Sequence, residues 1–204
     1  MPEEPSKPVR IGLLGHGTVG GAFATLLADR ADAVEAATGR RPEIAGVLTR
    51  SEGDFGAILE GSDLVVELMG GTDTARDFVI DALRAGRPVV TANKQLLAQH
   101  GDELFGIARE AGVQLRFEAA VAGVIPIVRT IQESFGVTEI AKVFGIVNGT
   151  TNFILSEMAS SGAGYDEVLS QAQQLGYAEA DPSDDVGGAD AAAKMAILAR
   201  LAFH

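Results

Sequence analysis

Apolar residues in the first half of the chain fall in short unbroken runs, separated by longer stretches at helical spacing. Val9 to Leu14 reads as a buried strand, followed by a glycine turn and a helix through about Arg30. Ala31 to Arg41 reads as a helix tail or a solvated insertion, and Glu43 to Thr49 as a second strand. Asp63 to Gly71 forms a third run ending in Gly-Gly, and Thr74 to Ala85 has helical spacing. The segment PVVTANK predicts a short strand, with a helix to about Ala111 and another strand over Gln114 to Glu118. This alternation predicts an α/β fold with a parallel, doubly wound sheet. Near Gly123 to Pro126 the rhythm breaks. Residues 138–148 (TEIAKVFGIVN) then predict one longer strand, followed by helices at about Thr151 to Ser160 and Tyr165 to Leu175, an acidic loop and a final helix. That is part of an α+β unit, with an apolar strand left in want of partners.

At 204 residues, 47% apolar and 22% charged, the chain is long enough for one large or two small domains. No run is long and apolar enough to span a bilayer, and MPEEPSKPVR lacks the pattern of a signal peptide, so a cytoplasmic location is expected. A net charge of −12 with scattered Lys and Arg argues against nucleic acid as a partner. The chain has no Cys and three His, at His16, His100 and His204. Thiolate chemistry is therefore excluded, and proton transfer falls to lysines and carboxylates.

Gly15-His16-Gly17-Thr18-Val19-Gly20 follows a strand and opens a helix, the setting a dinucleotide fingerprint requires. Gly15 permits the turn, Gly17 lets backbone approach a pyrophosphate, and Gly20 lets helix and strand pack closely. Thr18 and Val19 stand in the helix's first turn, whose N–H groups favour anions. The second strand ends in Thr49-Arg50-Ser51, with no acid for a ribose and with Arg50 suited to a 2′-phosphate, which favours NADP over NAD. Glu67 and Lys94 lie at strand ends on the edge where such sheets bind ligands. Lys94 would face the nicotinamide, or else be a charge at a helix start that Asn93 caps. Late in the chain, LGYAEADPSDDVGGADAAAK crowds carboxylates before an apolar helix. Asp190 and Lys194, four apart, share a helix face. They form either a solvated ion pair or, given the apolar AAAKMAILARLAF, one wall of a small-molecule pocket.

The motifs GHGTVG, TANK, FEAAVAGVIPIV, GIVNGTTNFIL and LGYAEADPSDDVGGADAAAK, in this order, resemble homoserine dehydrogenase from about Val9 to the last residue. The resemblance implies a Rossmann domain at 9–124 after a disordered tail at 1–8. A substrate and dimerisation domain at 125–204 would be truncated at its C-terminus, in a protein that is a homodimer at full length. It implies NAD(P)-dependent interconversion of L-homoserine and L-aspartate 4-semialdehyde, toward threonine and methionine. Lys94 and Lys194 would flank the reacting oxygen, with Lys194 as proton donor and Lys94 also touching substrate and cofactor. Asp190 would orient Lys194 and the substrate, Glu179 would hold the substrate ammonium, and Gly176 would lie on the nicotinamide side. A monovalent cation such as sodium would take carbonyls of Glu118, Val121, Gly123 and Ile125. Val124 stands where many members carry Gly, so the loop is expected to be extended there or the site altered. Aspartate-semialdehyde dehydrogenase is ruled out by the missing cysteine. A non-catalytic nucleotide-binding or regulatory fragment stays open.

Overall fold

The structure, a computed structural model, describes residues 7–203. Residues 1–6 of the expected tail, and His204, lie outside the described residues. The chain divides into two units between Ala120 and Val121.

The first unit carries five strands: β1 (Val9–Leu14), β2 (Pro42–Leu48), β3 (Leu64–Glu67), β4 (Val89–Thr91) and β5 (Leu115–Arg116). They form one sheet in the order β2-β1-β3-β4-β5, with every neighbouring pair parallel. Helices α1 (Thr18–Thr38), α2 (Phe55–Gly61), α3 (Asp73–Arg84) and α4 (Lys94–Ala111) make the crossovers. Both faces are covered, which explains why the strands are continuously apolar rather than alternating. Ile11, Leu13 and Val66 pack with Phe23, Ala24 and Leu27 of α1. On the other face α2 comes close: a Cβ on Gly12 would lie 2.8 Å from Ile58. The strand order reverses between β1 and β3, the position at which open parallel sheets bind ligands beyond their carboxyl ends.

Most elements fall where the apolar rhythm predicts them, and the differences have local causes. The helix tail at Ala31 is part of α1, which runs to Thr38 and closes on Gly39 in the left-handed region. The third strand stops at Glu67 rather than Gly71, because Gly70 and Gly71 both take φ of +74° and leave the extended conformation. The last strand is confined to Leu115–Arg116, and Glu118–Ala120 turns into a 3-10 helix. Helix α2 was not expected. Its signal was present, since the Asp54 side chain accepts the Ala57 N–H at 2.7 Å and caps the helix.

In the second unit α5 (Ile127–Arg129) runs on into a π-helical turn at Thr130–Ser134. Then come α6 (Gly149–Ser161), α7 (Tyr165–Gln174), α8 (Ser183–Val186) and α9 (Ala189–Phe203). Ile154, Val168, Ala172 and Ala178 form the core of the α6–α7 pair, with Phe153, Met158 and Leu169 against it. The strand expected over 138–148 does not form. Among the described residues this unit holds no strand for it to pair with, and an unpaired strand leaves its backbone hydrogen bonds to water. Phe144 and Ile146 are 83% and 75% exposed as a result. Among the described residues this unit is therefore helical. The loop at Val124 is a turn and not extended. The Ile125 N–H donates to the Ala122 carbonyl at 2.6 Å, and the positive φ falls on Ala122, at +51°, rather than on Val124.

Candidate active site

In the first unit the glycine turn lies at the carboxyl end of β1. Gly15 takes φ of +95°, and a Cβ on Gly20 would stand 2.0 Å from the Gly15 carbonyl oxygen. Only glycine at both positions lets α1 start so close to the turn. A Cβ on Gly17 would meet nothing within 4 Å, so the N-cap of α1 opens on free space. Thr18 and Val19 are exposed beside it. Open space before unpaired helical N–H groups fits a dinucleotide's pyrophosphate.

Arg50 sits just past β2, exposed, in a tight turn that Thr49 holds by accepting the N–H groups of Ser51 (3.3 Å) and Glu52 (3.0 Å) on its hydroxyl. Next along the edge is a buried network. Glu67 is fully buried and accepts the Met69 N–H at 2.7 Å and the Thr91 hydroxyl at 2.5 Å. The Thr91 oxygen accepts the Asn93 N–H at 3.0 Å. The Asn93 side chain accepts the Leu96 N–H at 3.1 Å, capping α4 as the sequence allowed, and donates to the Gly71 carbonyl at 2.6 Å. Glu67 is thus no ligand group but the anchor of the loop that carries Lys94, the first residue of α4.

The second unit brings Asp190 and Lys194 together. The Lys194 ammonium donates to Asp190 Oδ2 at 2.7 Å and to the Val147 carbonyl at 2.8 Å. The two side chains are 19% and 4% exposed for Lys194 and Asp190, so the solvated-pair alternative fails. They lie in a cavity of about 590 Å³ that also takes in Gly176, Tyr177, Asn148, Thr150 and Asp185. Gly176 has φ of +77° and open space where a Cβ would be. Glu179 is exposed and does not line the cavity; its carbonyl accepts from the Gln173 side chain at 3.1 Å.

Asn148, Thr150 and Tyr177 are among the lining residues that had no assigned role in the sequence. Asn148 caps α6 through its oxygen, which accepts the Thr151 N–H at 2.8 Å, while its amide nitrogen donates to Asp185 (2.7 Å) and Asp190 (2.9 Å). The Thr150 hydroxyl lies 2.7 Å from the Tyr177 carbonyl and 3.0 Å from Asp185. The ring of Tyr177 packs against Phe153 at 4.7 Å between centroids. The available signal was Asn148 three residues before Thr151, an N-cap spacing. The proposed cation ligands divide: Glu118 lies in the first unit, Val121, Gly123 and Ile125 in the second. The Ile125 carbonyl already accepts the Ile127 N–H at 2.8 Å and retains one lone pair. Among the described residues no cluster of three acidic or imidazole side chains could hold a metal, so any cation would rest on carbonyls.

Known proteins match both units. A family model described as the homoserine dehydrogenase NAD binding domain covers residues 15–118, and one described as homoserine dehydrogenase covers 126–204. The homoserine dehydrogenase of Neisseria gonorrhoeae is 44% identical over 212 residues, which span 97% of this chain and 49% of that protein. The crystal structure of a homoserine dehydrogenase from Thiobacillus denitrificans aligns with a TM-score of 0.90 at 42% identity, over 98% of this chain and 50% of that one. A hyperthermophilic archaeal homoserine dehydrogenase solved in complex with NADPH aligns with a TM-score of 0.83 at 29% identity, over 97% and 70%. The chain spans about half the length of the curated relatives it matches.

Proposed function

Because the chain belongs to the homoserine dehydrogenase family, we propose that it provides the cofactor unit and the catalytic lysine of an enzyme interconverting L-homoserine and L-aspartate 4-semialdehyde. This step would serve threonine and methionine synthesis. The observation that carries the reading is the buried Asp190–Lys194 pair in a polar cavity, an ammonium held by a carboxylate and a carbonyl. Of its three N–H donors the protein uses two, which leaves one for a substrate oxygen.

A bound nicotinamide supplies the hydride in the reducing direction and accepts it in the other. As the hydride reaches the aldehyde carbon, the carbonyl π electrons move onto oxygen and Lys194 Nζ gives that oxygen a proton. The product is the alcohol, and Lys194 recovers its proton from solvent. In the reverse direction Lys194 would pass its own proton to solvent and take the proton of the hydroxyl. Asp190 fixes the direction of the ammonium, and the carboxylates on the cavity wall suit a substrate that carries its own ammonium. Glu179 stands outside the cavity, and its assignment to that ammonium rests on the family resemblance. Lys94 gives the reacting oxygen electrostatic help.

NADP is proposed over NAD on the exposure of Arg50 beyond β2. Gly15, Gly17, Thr18, Val19 and Gly20 would hold the pyrophosphate. A monovalent cation of the sodium class at Glu118, Val121, Gly123 and Ile125, a homodimer at full length, a cytoplasmic location and a domain division at 124/125 belong to the same reading. Among the described residues no helix is long and apolar enough to cross a membrane.

The test is homoserine-dependent reduction of NADP by the full-length protein and its Lys194→Ala variant, beside a fluorescence titration with NADPH. Turnover should fall by about 10²- to 10⁴-fold, as for loss of a positioned acid–base group, with NADPH affinity unchanged. Retained turnover in the variant rejects the assignment of Lys194. A wild-type protein that binds NADPH but never turns over homoserine would be the regulatory fragment instead.

A further inference from the structure

We infer that Asn148 is the positioning residue of this site: its single amide holds Asp185 and Asp190 together and, through Asp190, aims Lys194. This rests on the reading of Lys194 as proton donor.

An asparagine amide offers two N–H donors and an oxygen with two lone pairs. Here all four are used. The nitrogen donates to Asp185 Oδ1 on α8 at 2.7 Å and to Asp190 Oδ2 on α9 at 2.9 Å. The oxygen accepts the Thr151 N–H at 2.8 Å and the Thr151 hydroxyl at 2.9 Å, both on α6. With the Thr151 N–H and hydroxyl on one side and carboxylates on the other, the amide has one orientation only. Residue 148 is itself buried, and the carbonyl before it, on Val147, receives the Lys194 ammonium. Two consecutive residues therefore grip both ends of the Asp190–Lys194 pair.

The energetics point the same way. Asp190 is buried, and Asp185 reaches the same amide from another helix. Two carboxylates converging on one point repel unless donors lie between them. Asn148 supplies those donors without adding charge. The cavity lining then has two carboxylates against one ammonium, an excess of one negative charge. A cap alone needs only the oxygen of residue 148. The amide nitrogen is what the site requires.

The two duties separate by substitution. Serine caps a helix about as well as asparagine but has no amide to bridge the carboxylates. In full-length Asn148→Ser the melting temperature should stay within a few degrees of wild type. Lys194, no longer aimed by Asp190, should react faster with an acylating reagent. Mass spectrometry would read its labelling against the exposed Lys142 of the same unit, and the ratio should rise on the order of tenfold, as for loss of a hydrogen bond to a charged group. Turnover with homoserine should fall by about tenfold or more while KM for the nucleotide holds. An unchanged labelling ratio at an unchanged melting temperature overturns the inference. Should Asn148→Ser unfold, Asn148→Thr, which also caps and adds no charge, gives the same labelling comparison. Labelling needs no turnover, so a wild-type protein inactive on homoserine would sink the proposed function while the role of Asn148 is still decided.

Discussion

Every strand of the first unit lies against a hydrogen-bonded neighbour, whereas the apolar run 138–148 of the second has none among the described residues. The first unit buries Leu13, Leu14, Val65 and Val89 completely. The second exposes Val137, Phe144, Ile146 and Leu155, and concentrates its buried polar groups around Asn148 and Asp190. The difference separates two tasks. The first unit, a parallel sheet covered on both faces, matches the family's NAD binding domain over residues 15–118. The second unit holds the Lys194 ammonium in a polar cluster while large apolar surfaces stay in water.

Hydrogen exchange offers the strongest way to break this comparison. The amide of Val66, in the centre of the sheet, should exchange at least about 10³-fold more slowly than that of Phe144, since core strands open only with the whole body. Equal rates would show that the two units share one stability. Truncation sharpens it next. Leu13→Ala should lower stability by about 3–5 kcal/mol in a denaturant titration, from lost burial and a cavity. Leu155→Ala, at an exposed site, should stay within about 0.5 kcal/mol.

Cofactor affinity isolates the first unit further. Gly20→Ala places a Cβ where the Gly15 carbonyl now is, and should weaken NADPH binding by about tenfold or more in a fluorescence titration. The acylation of Lys194 in the second unit should not change. Arg50→Asp should move the ratio of kcat/KM for NADP and NAD toward NAD by roughly tenfold, in line with one charge-assisted contact; a constant ratio removes Arg50 from phosphate recognition.

The smallest effect is a pH dependence. Asp63 accepts the side chain and the N–H of Arg10, at 3.1 and 2.8 Å, and the Arg10 guanidinium first of all holds its carboxyl below the usual range. A folded-state pKa below the unfolded one stabilises above the unfolded pKa and is lost as pH falls through the folded one. Asp63→Asn should therefore cost less than about 1 kcal/mol near pH 6, as expected of a solvent-screened pair. The difference from wild type should shrink as pH falls below the usual aspartate range and through the lowered folded-state pKa.

The first unit was largely legible because each of its signals is local. An apolar run, a glycine turn and a helix follow one another within Val9 to Arg30, and a parallel sheet leaves little freedom in how such pieces stack. Helix α2 leaves a weak signal because only seven residues carry it and its cap is a single Asp54. The pairing of Asp190 with Lys194 was legible for the same local reason, one helical turn. The contact between Asn148 and Asp190 joins residues 42 apart in sequence and has no spacing to betray it. The run at 138–148 misled in the opposite sense: its composition suits a strand, but pairing belongs to the partner as much as to the sequence.

Lys94 begins helix α4, and Asn93 caps the same end. The aligned peptide dipoles place about half a positive charge there, so a cation at that position opposes its own helix by about 0.3–1 kcal/mol. Lys94→Gln removes this opposition and should perform worse as an enzyme. Selection for melting temperature alone would tend to erase this lysine, and with it the electrostatic help that the chemistry is proposed to draw from it.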